Sequence, residues 1–305
     1  MRPLHWPIAA AAAGLAYSAV YEVRAFALRT VTVPVLAPGS DPLRVLHLSD
    51  THMTPDQRRK QQWLRGLADL QPDLVVNTGD NLAHLDAVPS VLRAYGDLLD
   101  VPGVFVFGSN DYFSPKRKNP VKYLRGGTGV SSDGSLRHEH DLPFDELRAA
   151  FTQRGWTDLT NRHDDVDVAG RRLAFVGVDD PHLEYDQLDD VPADESADLA
   201  IGVAHAPYLR VLDRWNSLGY PLIMAGHTHG GQLRIPFYGA LVTNCDLDRQ
   251  RARGLHQHQV DGHEPSWLHV SAGLGTSPYT PVRFACRPEA TLLTLTGIDS
   301  SGSLT

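Results

Sequence analysis

Apolar and polar positions along this chain follow two different periods. Val45–Leu48, Leu74–Asn77, Val104–Phe107, Leu173–Val178, Asp198–Val203 and Leu222–Ala225 are short, mostly apolar runs bounded by polar residues or glycine. Runs of this length predict strands buried on both faces. Between the first two, Trp63, Leu64, Leu67 and Leu70 recur at helical spacing behind Pro55, which suits a helix start. Gln232–Ile235, Trp267–Val270 and Thr291–Thr296 predict further strands with no helical pattern between them. The order implies an α/β first half and a more strand-rich second half, without internal repeats.

Residues 1–30 differ. Ile8–Val20 is an Ala-rich apolar run of thirteen residues, and Arg2, Glu22, Arg24 and Arg29 flank it. A membrane-spanning helix takes about 20 apolar residues, so this run is short for one. Its basic start is Arg2 alone, and no clear small-residue cleavage site follows, unlike a secretory leader. Continued through Tyr21–Leu28 the helix is amphipathic and suits a membrane surface; packing on the domain is the plainer alternative. Pro34, Pro38, Gly39 and Pro42 then predict a boundary, with a compact domain over 43–297. The expected location is a bacterial membrane surface, held by this helix, or the cytoplasm.

With 305 residues, 42% hydrophobic and 21% charged, the chain can bury a real core. Its net charge of −8 argues against nucleic acid as a partner. Cys245 and Cys286 exclude a disulfide-stapled scaffold and a four-cysteine zinc site. They would form one bridge outside the cell, or remain two thiols inside it.

The candidate chemistry collects where strands end, the usual ligand edge of an α/β sheet. Val45–Leu48 leads into Asp50 and His52, and Leu74–Asn77 into Asp80. Val104–Phe107 leads into Ser109, Asn110 and Asp111, Asp198–Val203 into His205, and Leu222–Ala225 into His227 and His229. Carboxylate, imidazole and amide without thiolate is a donor set for divalent metal. Asp50 with His52, and His227 with His229, are two residues apart, so each pair faces one side of an extended exit. Asp80 has two oxygens and suits a bridge between two ions. Two such ions stabilise both the attacking and the leaving oxygen of a phosphoryl displacement and acidify a water between them.

In this order, Asp50-Thr51-His52, Gly79-Asp80, Gly108-Ser109-Asn110-Asp111, His205 and Gly226-His227-Thr228-His229 resemble the calcineurin-like metallophosphoesterases. The run from Gly226 to Gln232, with the N-terminal segment, is most similar to their bacterial, YkuE-like branch. The resemblance spans about residues 43–297. It implies a four-layer αββα sandwich of two mixed β-sheets flanked by helices, with a short N-terminal helix added. It implies two divalent metals per chain, Mn, Fe or Zn. Asp50, His52, Asp80 and His229 would hold one; Asp80, His205, His227 and an amide near 109–110 would hold the other. The implied activity is hydrolysis of a phosphate ester or pyrophosphate by metal-bridging hydroxide, on a phosphorylated small molecule, a nucleotide-sugar or a lipid-linked substrate. A cyclic-nucleotide phosphodiesterase and a non-catalytic, metal-stabilised binding protein are the alternatives.

The third motif departs from its pattern, G-N-H-D. Ser109 stands where the metal-binding Asn is expected, and Asn110 where a histidine assists the leaving group. Asn110 is the better ligand of the two, because an amide oxygen binds these metals better than a hydroxyl. Asn110 and His84 are the catalytic candidates on the leaving-group side, with a metal-bound water as the other substitute. Asp111 and Ser109 would orient ligands. Lys116 and Arg117 open a basic stretch that reads either as a solvated loop or as a rim attracting an anionic substrate. With Arg283 they are the substrate-binding candidates. His47, inside an apolar strand, reads as a core residue. His138, His140, His256, His258 and His263 sit in polar stretches and read as solvated.

Overall fold

The computed structural model describes residues 13–115, 139–235 and 238–298. A helical segment over 13–24 comes first; its Tyr17–Tyr21 turn is π-helical and its Glu22–Arg24 turn 3-10. Then follow β1 (Ala27–Leu36), β2 (Leu43–Leu48), α1 (Arg58–Arg65), β3 (Leu74–Asn77), α2 (Val88–Tyr95) and β4 (Gly103–Phe105). Next come α3 (Ser109–Tyr112), α4 (Phe144–Gln153), β5 (Thr157–Asp158), β6 (Arg162–Val168), β7 (Arg171–Gly177) and β8 (Leu199–Val203). The remainder is α5 (Leu209–Ser217), β9 (Leu222–Ala225), β10 (Arg234–Ile235), β11 (Gly239–Ala240), β12 (Gly254–His258), β13 (Ser266–Val270) and β14 (Glu289–Gly297).

Two mixed six-stranded sheets carry the fold, in the orders β1-β14-β2-β3-β4-β5 and β12-β13-β9-β8-β7-β6; β10 and β11 pair separately. Strand periodicity assigns each apolar residue to one of three interfaces. Leu43, Val45, Leu74, Val76 and Val104 of the first sheet meet Leu173, Phe175, Ile201, Val203 and Met224 of the second. Leu46, Leu48, Val75 and Phe105 point the other way, onto Leu64 of α1, Val91 and Tyr95 of α2, and Phe151 of α4. Ile223, Leu268 and Val270 cover the outer face of the second sheet together with Val211, Leu212 and Trp215 of α5. These layers are the four of the expected αββα sandwich. Burial on both faces explains the unbroken apolar runs of β2, β3, β8 and β9.

The N-terminal boundary lies earlier than the proline cluster suggests. Ala27–Leu36 is not the end of a leader helix. It pairs in parallel with β14 and buries Val33, Val35 and Leu36 between the sheets. Pro34 is tolerated because β1 is an edge strand. The opposite edge of the second sheet, β6, was not anticipated: its sequence RHDDVDV is largely solvated, so it lacks an apolar run.

Candidate metal centre

The strand ends converge between the two sheets. β2 and β3 run parallel and deliver Asp50, His52 and Asp80 from one side; β8 and β9 run parallel and deliver His205, His227 and His229 from the other. One ligand atom from each of Asp50, His52, Asp80 and His229 lies within 4.8 Å of the others. The Nε2 atoms of His52 and His229 are 3.2 Å apart. His52 Nε2 is 3.5 Å from Asp80 Oδ2, and His229 Nε2 is 3.5 Å from Asp50 Oδ1. A second group forms on the other oxygen of Asp80. His205 Nε2 stands 3.5 Å from Asp80 Oδ1 and 3.2 Å from His227 Nδ1.

Hydrogen bonds at the far nitrogens set the tautomers. His205 Nδ1 donates to the Thr78 carbonyl (2.7 Å), His229 Nδ1 to Gly275 (3.0 Å) and His227 Nε2 to Asn244 (3.3 Å). Each ring therefore turns a lone pair inward, toward another lone pair or a carboxylate. Lone pairs and carboxylate oxygens gathered at this range favour positive charge between them. The donor set of Asp50, His52, Asp80 and His229 thus fits a divalent cation. The charges around His205 favour positive charge at the same place. Burial disfavours charge on His205, yet the carboxylates of Asp80, Asp180 and Asp50 override it and raise its pKa to about 9. Burial opposes ionisation of Asp80 as well, but His205, His52 and the Asn110 N–H hold it well below the usual carboxylate range. His52 and His229 are pushed down to about 4, chiefly by burial, and so stay neutral as ligands.

The backbone bends to make this possible. Asp50, His52, Asp80, His227 and His229 all have positive φ, between 42° and 67°. Left-handed backbone at a non-glycine residue costs on the order of 1–2 kcal/mol. Concentrating it on five donors reorients their side chains from the strand direction toward one point. Glycine supplies the clearance: a Cβ on Gly273 would stand 2.6 Å from Asp50 Cβ, and one on Gly108 would strike Asp80 and His205.

Asp50 is held by a polar chain that crosses the core. Ser49 Oγ donates to Asp50 Oδ2 (2.5 Å), and Thr78 Oγ1 donates to Ser49 Oγ (2.7 Å). His47 Nε2 then donates to Thr78 Oγ1 (3.0 Å) and accepts at Nδ1 from His269 Nδ1 (2.8 Å). The His227 N–H reaches Asp50 at 3.1 Å. His47 is a buried core residue, as its strand position implies, and it lies at the interface between the sheets.

At the third motif the contacts of Asn110 run to Asp80. Asn110 donates to both oxygens of Asp80, from its backbone N (2.7 Å to Oδ1) and from Nδ2 (2.8 Å to Oδ2). Ser109 lines the cavity beside it, its Oγ 3.4 Å from Asn110 Nδ2. Asp111 is turned away and accepts the backbone N–H of Asp80, Asn81 and Gly108 at 2.8–3.0 Å. It pins the bridging loop, and burial followed by the Asp80 charge raises its pKa to about 7.

Other candidates lie elsewhere. His84 is half-exposed; its Nδ1 accepts the Asp86 N–H, and it is not among the residues lining the site cavity. Arg283 does not face substrate. It is fully buried and donates to the carbonyls of Ala272, Gly275 and Cys286, bracing the turn behind His229. Guanidinium geometry suits that task, since several loop carbonyls converge there. His258 is not solvated but buried against Asp213 and Arg251. Cys245 and Cys286 are both free thiols. Lys116, Arg117 and His138 fall outside the described residues.

The cavity over the cluster, about 130 Å³, is walled by His182, Gln232, Asn244, Ser277, Tyr279 and Thr280 beside the ligands. His182 packs 4.6 Å from the His227 ring and meets the Tyr208 hydroxyl at 3.0 Å. Sequence reasoning missed His182 and the buried Asp180, although Leu173–Val178 runs straight into Asp179-Asp180-Pro181-His182. Reading that strand end like the others would have found them.

The calcineurin-like phosphoesterase family model matches residues 43–231, and the chain belongs to this family of phosphoric ester hydrolases. Among its relatives are two metallophosphoesterases of Bacillus subtilis. YkoQ is 26% identical over 83% of this chain and 84% of its own length; YkuE is 25% identical over 87% and 83%. The Escherichia coli phosphodiesterase YaeI is 26% identical over 94% of each chain.

Proposed function

We propose that the chain is a two-metal phosphoesterase. The observation that carries this is Asp80, whose two oxygens face separate imidazole groups, His52 on one and His205 on the other. Asp50, His52 and His229 would hold one ion, His205 and His227 the other, with Asp80 between. Bound there, the ions supply charge neutralisation at the phosphoryl group and an acidified water as nucleophile. The residues of the chain do the rest. The Asn110 N–H keeps Asp80 ionised and aimed, Asp111 fixes the loop that presents it, and the wall of His182, Gln232 and Tyr279 seats the ester. Asn110 offers an amide where the family pattern has a histidine, so a good leaving group departs readily and a poor one slowly. Protonation of the leaving group is worth roughly 10²–10⁴-fold in rate. A phosphodiester or pyrophosphate, including a lipid-linked or nucleotide-sugar one, is the substrate class we favour. Mn²⁺ is the metal to try first, with Zn²⁺ and Fe beside it.

The test is hydrolysis of bis-p-nitrophenyl phosphate and p-nitrophenyl phosphate by metal-stripped protein reloaded with Mn²⁺ or Zn²⁺. Asp80→Ala serves as control. Turnover that needs metal and vanishes in Asp80→Ala is the expected result. Two bound metals per chain without turnover on either ester would instead mark a binding protein, or an enzyme that accepts only its own lipid substrate.

A further inference from the structure

Several of the exposed large apolar side chains lie on the N-terminal helical segment and on the two segments hydrogen-bonded to it. Leu15, Val20 and Tyr21 of the N-terminal helical segment are 64%, 62% and 63% exposed. Tyr17 lies beside them, its ring 5.4 Å from Tyr21 and 6.4 Å from Phe284. Phe284 bridges in turn to Leu233, whose strand carries Ile235 toward Tyr238, and all four are exposed. Backbone bonds tie the three segments together: Arg283 N–H to Ser18 O, Arg234 N–H to Phe284 O, and Phe284 N–H to Gln232 O. These segments border the metal cavity, because Gln232 and Tyr279 wall that cavity from the same two loops.

Beside these residues, against Ala19, Val23 and Arg24 of the helical segment, is a cavity of about 380 Å³, and Arg24 reaches from it to the Val20 carbonyl. Ala19, Val23, Phe26, Leu274 and Pro281 make its apolar walls, and Arg24, Arg58 and Arg59 stand at its edge with Asp56 as the one acid. The three arginines are exposed. Glu22 on the same helical segment is buried and turns its carboxylate inward onto the Cys286 N–H. A net-acidic chain therefore shows here an apolar, tyrosine-rich face edged by arginine. Soluble proteins seldom expose contiguous apolar surface without a partner for it. Tyrosine with aliphatic residues suits the water–hydrocarbon boundary, and arginine suits anionic headgroups.

We propose that the face built from residues 13–24, Leu233, Ile235, Tyr238 and Phe284, with Arg24, Arg58 and Arg59 at its edge, docks on an anionic lipid bilayer and sets the mouth of the metal cavity against it. The reading deepens the phosphoesterase assignment by giving it a substrate presented at the membrane, and it rests on that assignment only there. Docking needs no spanning helix, and among the described residues no helix is long and apolar enough to cross a membrane.

The experiment is flotation of the full-length protein with phosphatidylglycerol–phosphatidylcholine vesicles and with phosphatidylcholine alone. The protein should float with the anionic vesicles and less so at high salt. Tyr21→Asp with Ile235→Asp, and separately Arg24→Glu with Arg58→Glu, should each cut partitioning by about tenfold or more. Both should leave turnover of a soluble diester unchanged. Three results would overturn the proposal. Both double variants float like the parent. Deleting residues 1–12 alone abolishes binding while the variants retain it. Or the parent ignores vesicles and forms a dimer that these substitutions dissolve, which makes the face a contact between copies. Normal flotation without metal-dependent turnover of any ester, soluble or vesicle-borne, would sink the two-metal phosphoesterase reading and leave the docking surface standing.

Discussion

At the level of single residues, the donors are expensive to place. Asp50 accepts Ser49 Oγ and the His227 N–H at Oδ2, and its Oδ1 faces His229. Ser49→Ala removes one support of that carboxylate. We expect metal affinity to fall about tenfold, the usual scale for losing a hydrogen bond behind a ligand. Calorimetric titration with Mn²⁺ checks it, and unchanged affinity would show that the polar chain is only packing. The same chain creates an acid liability. Burial lowers the pKa of His269 to about 3 and that of His47 well below its usual value. Unfolded histidines take up protons below about pH 6.5, and these two cannot while folded. Their contribution to stability is therefore present at neutral pH and lost as the pH falls below about 6.5. The slope is about 1.4 kcal/mol per pH unit for each histidine. Replacing both by leucine should flatten that slope, as urea unfolding at pH 7 and pH 5 would reveal.

Among elements, β1 decides where the folded unit begins. Val33, Val35 and Leu36 close the inter-sheet core, and burying three such side chains is worth on the order of 5 kcal/mol. A truncated chain starting at Asp41 should lose its cooperative unfolding transition and precipitate. A soluble, folded product would show β1 to be dispensable. Proline and glycine punctuation misplaced this boundary because Pro34 sits inside an edge strand, where a missing N–H costs nothing. β6 escaped notice for a related reason: an edge strand with one solvated face has too few apolar positions to make a run. Central strands were legible because both of their faces are buried.

Over the whole molecule, the metal centre ties one sheet to the other. Asp50, His52 and Asp80 hang from the first sheet, and His205, His227 and His229 from the second. Stripping the metal with a chelator should therefore lower the melting temperature by about 5–10 °C, and reloading Mn²⁺ should restore it. No change on chelation would mean that the two layers hold their donors unaided.

The amino-acid sequence alone predicted the central strands of the core and set seven candidate donors at their ends, from Asp50 to His229. Those follow from local rules, a two-residue period and the chemistry of the donors. Only the tertiary structure decided which orphaned groups meet. Arg283 looked like a substrate cation and proved to be a buried brace, because the carbonyls it satisfies come from a loop that sequence cannot fold. His84 stands apart and His182 stands in the wall for the same reason. A side chain's role at a site depends on which face of which neighbouring strand it meets, and that is set by the packing of two sheets whose contributions to the centre lie as much as 179 residues apart.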